Sequence, residues 1–471
     1  MTYSCWSGSR SHGASGSIAG ASPPMKGDAT RFRRLRVRNS TFLVLVSLAM
    51  GGGVARAQET PRAFVGARIL PIVGSEIERG TLIVDKGKIV AVGPMDSVPI
   101  PAGAERIDVS GKTLMPGLVD THSHIGGIGA ADASSPIQPD AREFDAINVR
   151  DSGFRRAVAG GLTTLNIMPG SGHLLSGQTV YVKLRGGNTI EDIVIRDSQG
   201  EIAGGIKMAN GTNSMRDKPF PETRAKSAAL VREKYIKAQE YRDKIAKAAG
   251  DAEKMPARDI GLEALVEVLE GRRIVHHHTH RHDDIITVLR LSKEFGFRVV
   301  LHHVSEAWKV ADEIAKAGVP CSVIQVDCPG GKLEASELMF ETGGVLERAG
   351  AKVAYHTDDW INDSRFFFRE AALGVRAGMT RTGALKSLTI NGAEMLDLGD
   401  RVGSLEPGKD ADFVVLSGDP FSVYTHVLQT WVEGKKVFDR DDPKDRLYAV
   451  GGYGAGREQQ PYFCCFDRED Q

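Results

Sequence analysis

Leu118-Val119-Asp120-Thr121-His122-Ser123-His124 begins as an apolar strand and closes on two histidines one residue apart. In an extended chain, residues i and i+2 project to the same face. His122 and His124 therefore leave the strand side by side, a spacing suited to one metal ion. Taken alone, the pair equally suits two polar residues opening a loop. Repetition decides the matter. Residues 274–278 (IVHHH) and 299–303 (VVLHH) also run from apolar side chains into histidine, and 353–357 (VAYHT) stops just before Asp358.

Outward from this stretch, eight short apolar runs recur: 118–121, 163–167, 180–184, 205–208, 274–278, 299–303, 321–326 and 353–357. Longer stretches of helical composition separate many of them, as at 222–249, 284–295 and 306–317, and another follows the last at 365–377. Strands alternating with helices predict an α/β fold with a parallel sheet, and eight repeats suggest a (β/α)8 TIM barrel. An open doubly wound sheet is the alternative. No G-x-G-x-x-G opens a helix here to favour it.

The flanks read differently. Short apolar runs at 63–70, 80–84, 89–92 and 106–109, with a tight turn at Asp85-Lys86-Gly87-Lys88, predict strands and a hairpin. Runs at 411–416, 430–432 and 436–438 repeat the style. These are two unrelated β appendages, or one small composite β-sandwich closed by distant stretches of the chain. The expected organisation is an N-terminal extension (1–57), a first β-sandwich segment (58–115), the barrel (116–399), a second β-sandwich segment (400–440) and a tail (441–471).

The chain has 471 residues and balances 60 Lys+Arg against 60 Asp+Glu, which excludes a nucleic-acid binder built on bulk positive charge. A 41% hydrophobic content excludes a wholly disordered chain. Five cysteines are too few for a disulfide scaffold. The balance is uneven, however. Residues 31–38 (RFRRLRVR) carry five arginines, an apolar run fills 41–50, and Ala55-Arg56-Ala57 follows. That order reads as a secretory signal peptide, so a periplasmic or extracellular protein is expected. The apolar run is too short for a stable membrane anchor, which needs about 20 residues. A buried helix of the mature fold is the other reading.

Of 13 histidines, seven fall between His276 and His303, so the chemistry is concentrated there. His276, His278 and His280 share one strand face, and His277 and His302 have the opposite parity, which predicts that they turn toward surrounding helices. Ala354, His356 and Asp358 share a face that Asp359 does not. Strand ends bearing His or Asp would meet on the C-terminal rim of a barrel, where function sits. Imidazole and carboxylate together suit Zn²⁺, though other divalent metals also fit.

At this point the chain resembles the amidohydrolase superfamily, near its imidazolonepropionase-like and prolidase-like exported members. The residues that carry the likeness are Met115–His124, then His278, His303 and His356-Thr357-Asp358. The closing run from Val402 to Asp412 (VGSLEPGKDAD) adds to it. The likeness spans about residues 62–440 and implies a metal-bearing barrel. It implies His122, His124, His278, His303 and Asp358 as metal ligands, with Asp358 also carrying the proton. Lys207 corresponds to a lysine that is carboxylated and bridges two metals in some members. A substrate-binding lysine or a surface charge is the other reading of that position. His280 and His356 are assigned to the substrate side, and His276 to a deeper structural role. The implied cofactor is one or two Zn²⁺ ions. The implied reaction is hydrolysis of a carbon–nitrogen bond in a small molecule such as a dipeptide, an N-acyl amino acid or an imidazolone. A deaminase of the same superfamily and a non-catalytic exported metal-binding protein remain alternatives. No nucleic-acid partner is expected, and a homo-oligomer paired through a sandwich edge stays open.

Overall fold

The computed structural model describes residues 60–128, 131–325, 332–359 and 361–451. The signal-peptide reading, Cys328 and the Cys464-Cys465 pair lie outside those residues. No helix of the described residues is long and apolar enough to cross a membrane.

The first strands are β1 (Arg62–Ile69), β2 (Ile77–Asp85), β3 (Lys88–Pro94), β4 (Glu105–Asp108) and β5 (Thr113–Pro116). The barrel region supplies β6 (Leu118–Ser123), β7 (Leu162–Ile167), β8 (Leu175–Gln178), β9 (Val180–Lys183) and β10 (Ile206–Ala209). It continues with β11 (Val275–Thr279), β12 (Val299–His303), β13 (Cys321–Val323) and β14 (Val353–Tyr355). The chain closes with β15 (Phe413–Leu416), β16 (Val427–Val432) and β17 (Lys435–Asp439).

The two flanks form one sheet, ordered β17-β16-β15-β5-β1-β2-β3, with β4 on β1. Its core is aromatic. Phe64 meets Phe413 at 4.8 Å and Trp431 at 5.0 Å between ring centroids, both edge-on. Such contacts add roughly 0.5–1.5 kcal/mol beyond area burial. Partners from opposite ends of the chain thus share one apolar interior. Lys183 of β9, almost wholly buried, anchors this sheet to the barrel region through Asp410 and, at 3.1 Å, Asp412.

The middle of the chain has the TIM-barrel-like α/β character that its strand–helix alternation suggested. Two sheets make it, β14-β13-β12-β11-β10-β8 and β6-β7-β9. Strands β10 to β14 run parallel in sequence order. Here the expectation of eight parallel strands needs correcting. β9 lies antiparallel to β7, and β8 antiparallel to β10. The connection between β7 and β9 holds only the short β8 and no helix. A parallel return requires a crossover of about a dozen residues, usually a helix, so this segment turns back on itself instead.

Elsewhere, helices cover the strands as their caps dictate. The helix Arg224–Ala248 starts where Thr223 Oγ1 accepts from the Lys226 amide at 3.2 Å. The helix His282–Phe295 stops at Gly296, whose φ of 75° suits glycine. One seam matters for function. The Asp358 amide donates to the His122 carbonyl at 3.0 Å, and the His124 amide to the Asp359 carbonyl at 3.2 Å. The first and last strands of the region are therefore stitched together at the residues of interest.

Candidate metal centre

Along the strands of these two sheets, alternation sorts side chains into an apolar layer on one face and a more polar one on the other. Ile206, Met208, Val275, Leu301, Val323 and Val353 join the large apolar core against the helices. On the other face, Ile274, Val300 and Ala354 form a small apolar plug with Met395. Two residues further along the same strands come His276, His302 and His356. The plug therefore sits beneath a layer of imidazoles, and all three rings are buried.

This placement corrects the expectation for His302, which does not turn toward the helices. Its Nδ1 lies 3.3 Å from His122 Nδ1, and its Nε2 lies 3.0 Å from His276 Nδ1. His303 has the outward parity, yet its ring reaches within 4.1 Å of the His278 ring centroid. The cause is local. His303 takes φ 71° and Val304 φ 49°, so regular alternation ends and the chain turns His303 inward. His277 falls on the opposite face from His276 and His278, buried, with Nδ1 3.0 Å from the His278 carbonyl.

Above the imidazole layer the remaining groups converge. His122 Nε2 lies 3.2 Å from His124 Nε2, 2.9 Å from Lys207 Nζ and 3.4 Å from Asp358 Oδ1. Asp358 Oδ1 also sits 2.9 Å from His124 Nε2, and its Oδ2 lies 3.8 Å from His303 Nδ1. Asp358 has φ 48°, a left-handed turn that aims the carboxylate back over the strand ends. Asp359 faces elsewhere, taking hydrogen bonds from the Ser364 amide at 3.2 Å and the Ser364 hydroxyl. Three groups of side chains are close enough to share an ion: His122, His303 and Asp358; His278, His280 and His303; and His122, His302 and His356. The structure thus brings together every predicted residue, and it puts His280 and His356 among possible ligands rather than apart from them.

Several ring nitrogens in these groups are buried without a hydrogen-bond partner among the described residues: both of His278, and Nε2 of His280, His303 and His356. Unpaired buried polar atoms are costly, and native structures nearly always satisfy them. Imidazole nitrogens grouped within 4.8 Å of one another fit a cation. The electrostatics agree. Burial, the largest cause for each, holds His122, His278 and His303 well below the usual imidazole range, so the rings are neutral. Burial likewise lowers Lys207 to about 7, against the raising effect of Asp358. Burial alone would push Asp358 up, but the His124 hydrogen bond and nearby positive charge keep its carboxyl below the ordinary value.

Further contacts support the centre, and none of them is readable from spacing. His124 Nδ1 is 2.7 Å from the Met168 carbonyl, and Met168 Sδ is 2.9 Å from Lys207 Nζ. His356 Nδ1 meets Ser322 Oγ at 2.8 Å, and Ser322 Oγ lies 2.6 Å from Thr121 Oγ1. His280 Nδ1 meets Ser305 Oγ at 2.8 Å. Asp120 accepts from the His122 amide at 3.0 Å and from Thr357 Oγ1 at 2.5 Å, bracing the seam. Arg272, Arg273 and Arg281 are paired with Glu270, Glu267 and Asp283. Cys321 is a free thiol packed in β13.

Comparison with known proteins agrees with this geometry. The Amidohydrolase family matches residues 113–439, and the chain belongs to that family. It is similar to "Amidohydrolase tasK" of Hapsidospora irregularis, 28% identical over 76% of this chain, although the chain spans only 40% of that relative's length. It is also similar to the 5-methylthioadenosine/S-adenosylhomocysteine deaminase of Symbiobacterium thermophilum, 27% identical over 79% of this chain and 92% of that protein. Among solved structures, an amidohydrolase from Thermotoga maritima MSB8 superposes with a TM-score of 0.75 and 34% identity, covering 80% of this chain and 100% of that one.

Proposed function

We propose that this protein is a divalent-metal-dependent hydrolase of a carbon–nitrogen bond in a small molecule, with a dipeptide, an N-acyl amino acid or a cyclic amide as substrate. The observation that carries the reading is the set of unpaired, buried imidazole nitrogens on His278, His280, His303 and His356, in side-chain groups close enough to share an ion. His122, His124, His278, His303 and Asp358 would hold the ions, and a carboxylated Lys207 would bridge two of them. Zn²⁺ suits this donor set best. A bound ion would lower the pKa of water toward about 7 and polarise the scissile carbonyl.

The chain's own groups do the rest. Asp358 is held ionised, and its side chain still reaches solvent at 15% exposure, beside His124 at 14%. It accepts a proton from the attacking water and delivers it to the leaving nitrogen. His124 Nε2, 2.9 Å from Asp358 Oδ1, would ligate an ion beside that carboxylate, with its Nδ1 held by the Met168 carbonyl. The buried imidazole layer keeps bulk water out from below. The basic and apolar run at 31–50 supports export of the protein.

The test uses chelator-stripped protein reloaded with Zn²⁺ and assayed on dipeptides, N-acyl amino acids and cyclic amides. Metal-dependent amine release with two ions per chain is expected. Ammonia release from an amino-purine with one ion per chain would replace this reading by deamination, which the similarity to the deaminase favours. Full turnover in stripped protein would overturn both.

A further inference from the structure

Beneath the candidate metal centre, four side chains from four strands form a continuous line of buried contacts. His122 Nδ1 lies 3.3 Å from His302 Nδ1. His302 Nε2 lies 3.0 Å from His276 Nδ1. His276 Nε2 lies 2.9 Å from the Tyr181 hydroxyl. All four residues are at least 97% buried. His302 and His276 each use one ring nitrogen toward the residue above and the other toward the residue below.

We infer that His302, His276 and Tyr181 form a directional hydrogen-bond chain that sets the tautomer of His122, and that they are positioning residues for the metal centre. This rests on reading His122 as a ligand through Nε2. A neutral imidazole carries one proton, so one nitrogen donates and the other accepts. If His122 offers its Nε2 lone pair to an ion, its proton is on Nδ1 and donates to His302 Nδ1. His302 must then carry its proton on Nε2 and donate to His276 Nδ1. His276 in turn carries its proton on Nε2 and donates to the Tyr181 oxygen.

The reverse sense is equally self-consistent. Tyr181 donates to His276 Nε2, His276 Nδ1–H donates to His302 Nε2, and His302 Nδ1–H donates to His122 Nδ1. His122 then carries its proton on Nε2, where it blocks an ion. No intermediate arrangement satisfies every contact, because two lone pairs or two protons would face each other somewhere along the line. The three rings are thus bound to switch together. The tyrosine makes this possible, since a hydroxyl both donates and accepts. A phenylalanine there could do neither.

A ligand histidine commonly has its second nitrogen fixed by a partner, and loss of that partner weakens metal binding about 10- to 100-fold. Here the partner acts through two further rings, so the effect should appear at Tyr181, which touches neither Lys207 nor the ring of His122 among the described contacts. Tyr181→Phe removes one oxygen and keeps the shape.

The experiment is ¹⁵N-histidine NMR of full-length protein, stripped and Zn²⁺-loaded, together with Zn²⁺ affinity by competition with a chelator. In loaded wild type, Nδ1–H is expected on His122 and Nε2–H on His302 and His276. In stripped protein, the three tautomers should match one sense or the other as a set. Tyr181→Phe should bind Zn²⁺ about ten-fold more weakly at an unchanged melting temperature. His302→Gln, which keeps an acceptor toward His122, should bind more tightly than His302→Leu. A mixed tautomer set in stripped wild type overturns the chain, as does wild-type affinity in Tyr181→Phe. If wild type binds no Zn²⁺, the metal reading fails, and the stripped-state tautomers still decide the chain.

Discussion

Lys207 Nζ lies 2.9 Å from His122 Nε2, and neither side chain reaches solvent. This buried amine faces a ring nitrogen, is lowered to about 7, and has no carboxylate in hydrogen-bond contact among the described residues. Its position argues for a role toward whatever occupies the centre. Lys207→Met keeps the volume and removes the amine. Activity should fall at least about 100-fold, and bound metal should drop by at least one ion per chain. Elemental analysis and circular dichroism on the same sample check this, with the melting temperature expected to hold.

Asp358→Asn tests the proposed proton carrier. Asparagine tolerates the left-handed backbone that Asp358 adopts at φ 48°, so the fold should be preserved. Loss of general acid–base catalysis costs about 10²- to 10⁴-fold. The turnover number should carry most of that loss, measured at saturating substrate and with metal content confirmed.

Gly205 is where the backbone entering β10 comes up against β11. A Cβ at 205 would sit 2.4 Å from the Ile274 carbonyl oxygen and 2.4 Å from His276 Cδ2. Gly205→Ala should destabilise the protein by about 1–3 kcal/mol, the usual result of overpacking a filled core. Denaturant unfolding gives the number. Because the clash is with the His276 ring, metal affinity should weaken as well.

Asp410 is nearly buried, touches Lys183, lies 2.6 Å from Lys88 Nζ and 3.2 Å from Arg401. Burial would raise its pKa, but Lys183 and its neighbours prevail and push it down to about 2. The folded-state value is below the unfolded one, so the stabilisation is fully present above about pH 4 and disappears as pH falls through about 2. Its size is about 2 kcal/mol, an order of magnitude only. Asp410→Asn should be less stable at pH 7 by about that amount, and the gap should close between about pH 4 and pH 2. Parallel denaturation curves across that range decide it.

Much of the centre is legible in the sequence because β-strand alternation is simple. His122, His124, His278 and Asp358 follow from parity and from where apolar runs end. His303 does not. Its role depends on two consecutive positive φ angles, at His303 and Val304, which no residue type there announces. A histidine and a valine are ordinary strand residues, so alternation predicts a continuing strand where the chain in fact turns. Tyr181, Ser322 and Ser305 escape notice for a different reason. They are polar residues on interior faces, and only the register between strands brings them to His276, His356 and His280. The direction of β9 is hidden because its composition matches any buried strand. The length of its connection to β7 is the available signal.

The stitching of first and last strands also has a temporal side. Asp120 and Thr357 are 237 residues apart, and their contact closes the seam at which His122 meets Asp358. A chain emerging from the ribosome displays a cluster of histidines long before Asp358 has been made. Until β14 docks, the candidate site lacks that carboxylate and one of its walls. Metal capture at full affinity is thereby tied to completion of the whole region, and a truncated or half-folded chain would carry the donors without holding the ion.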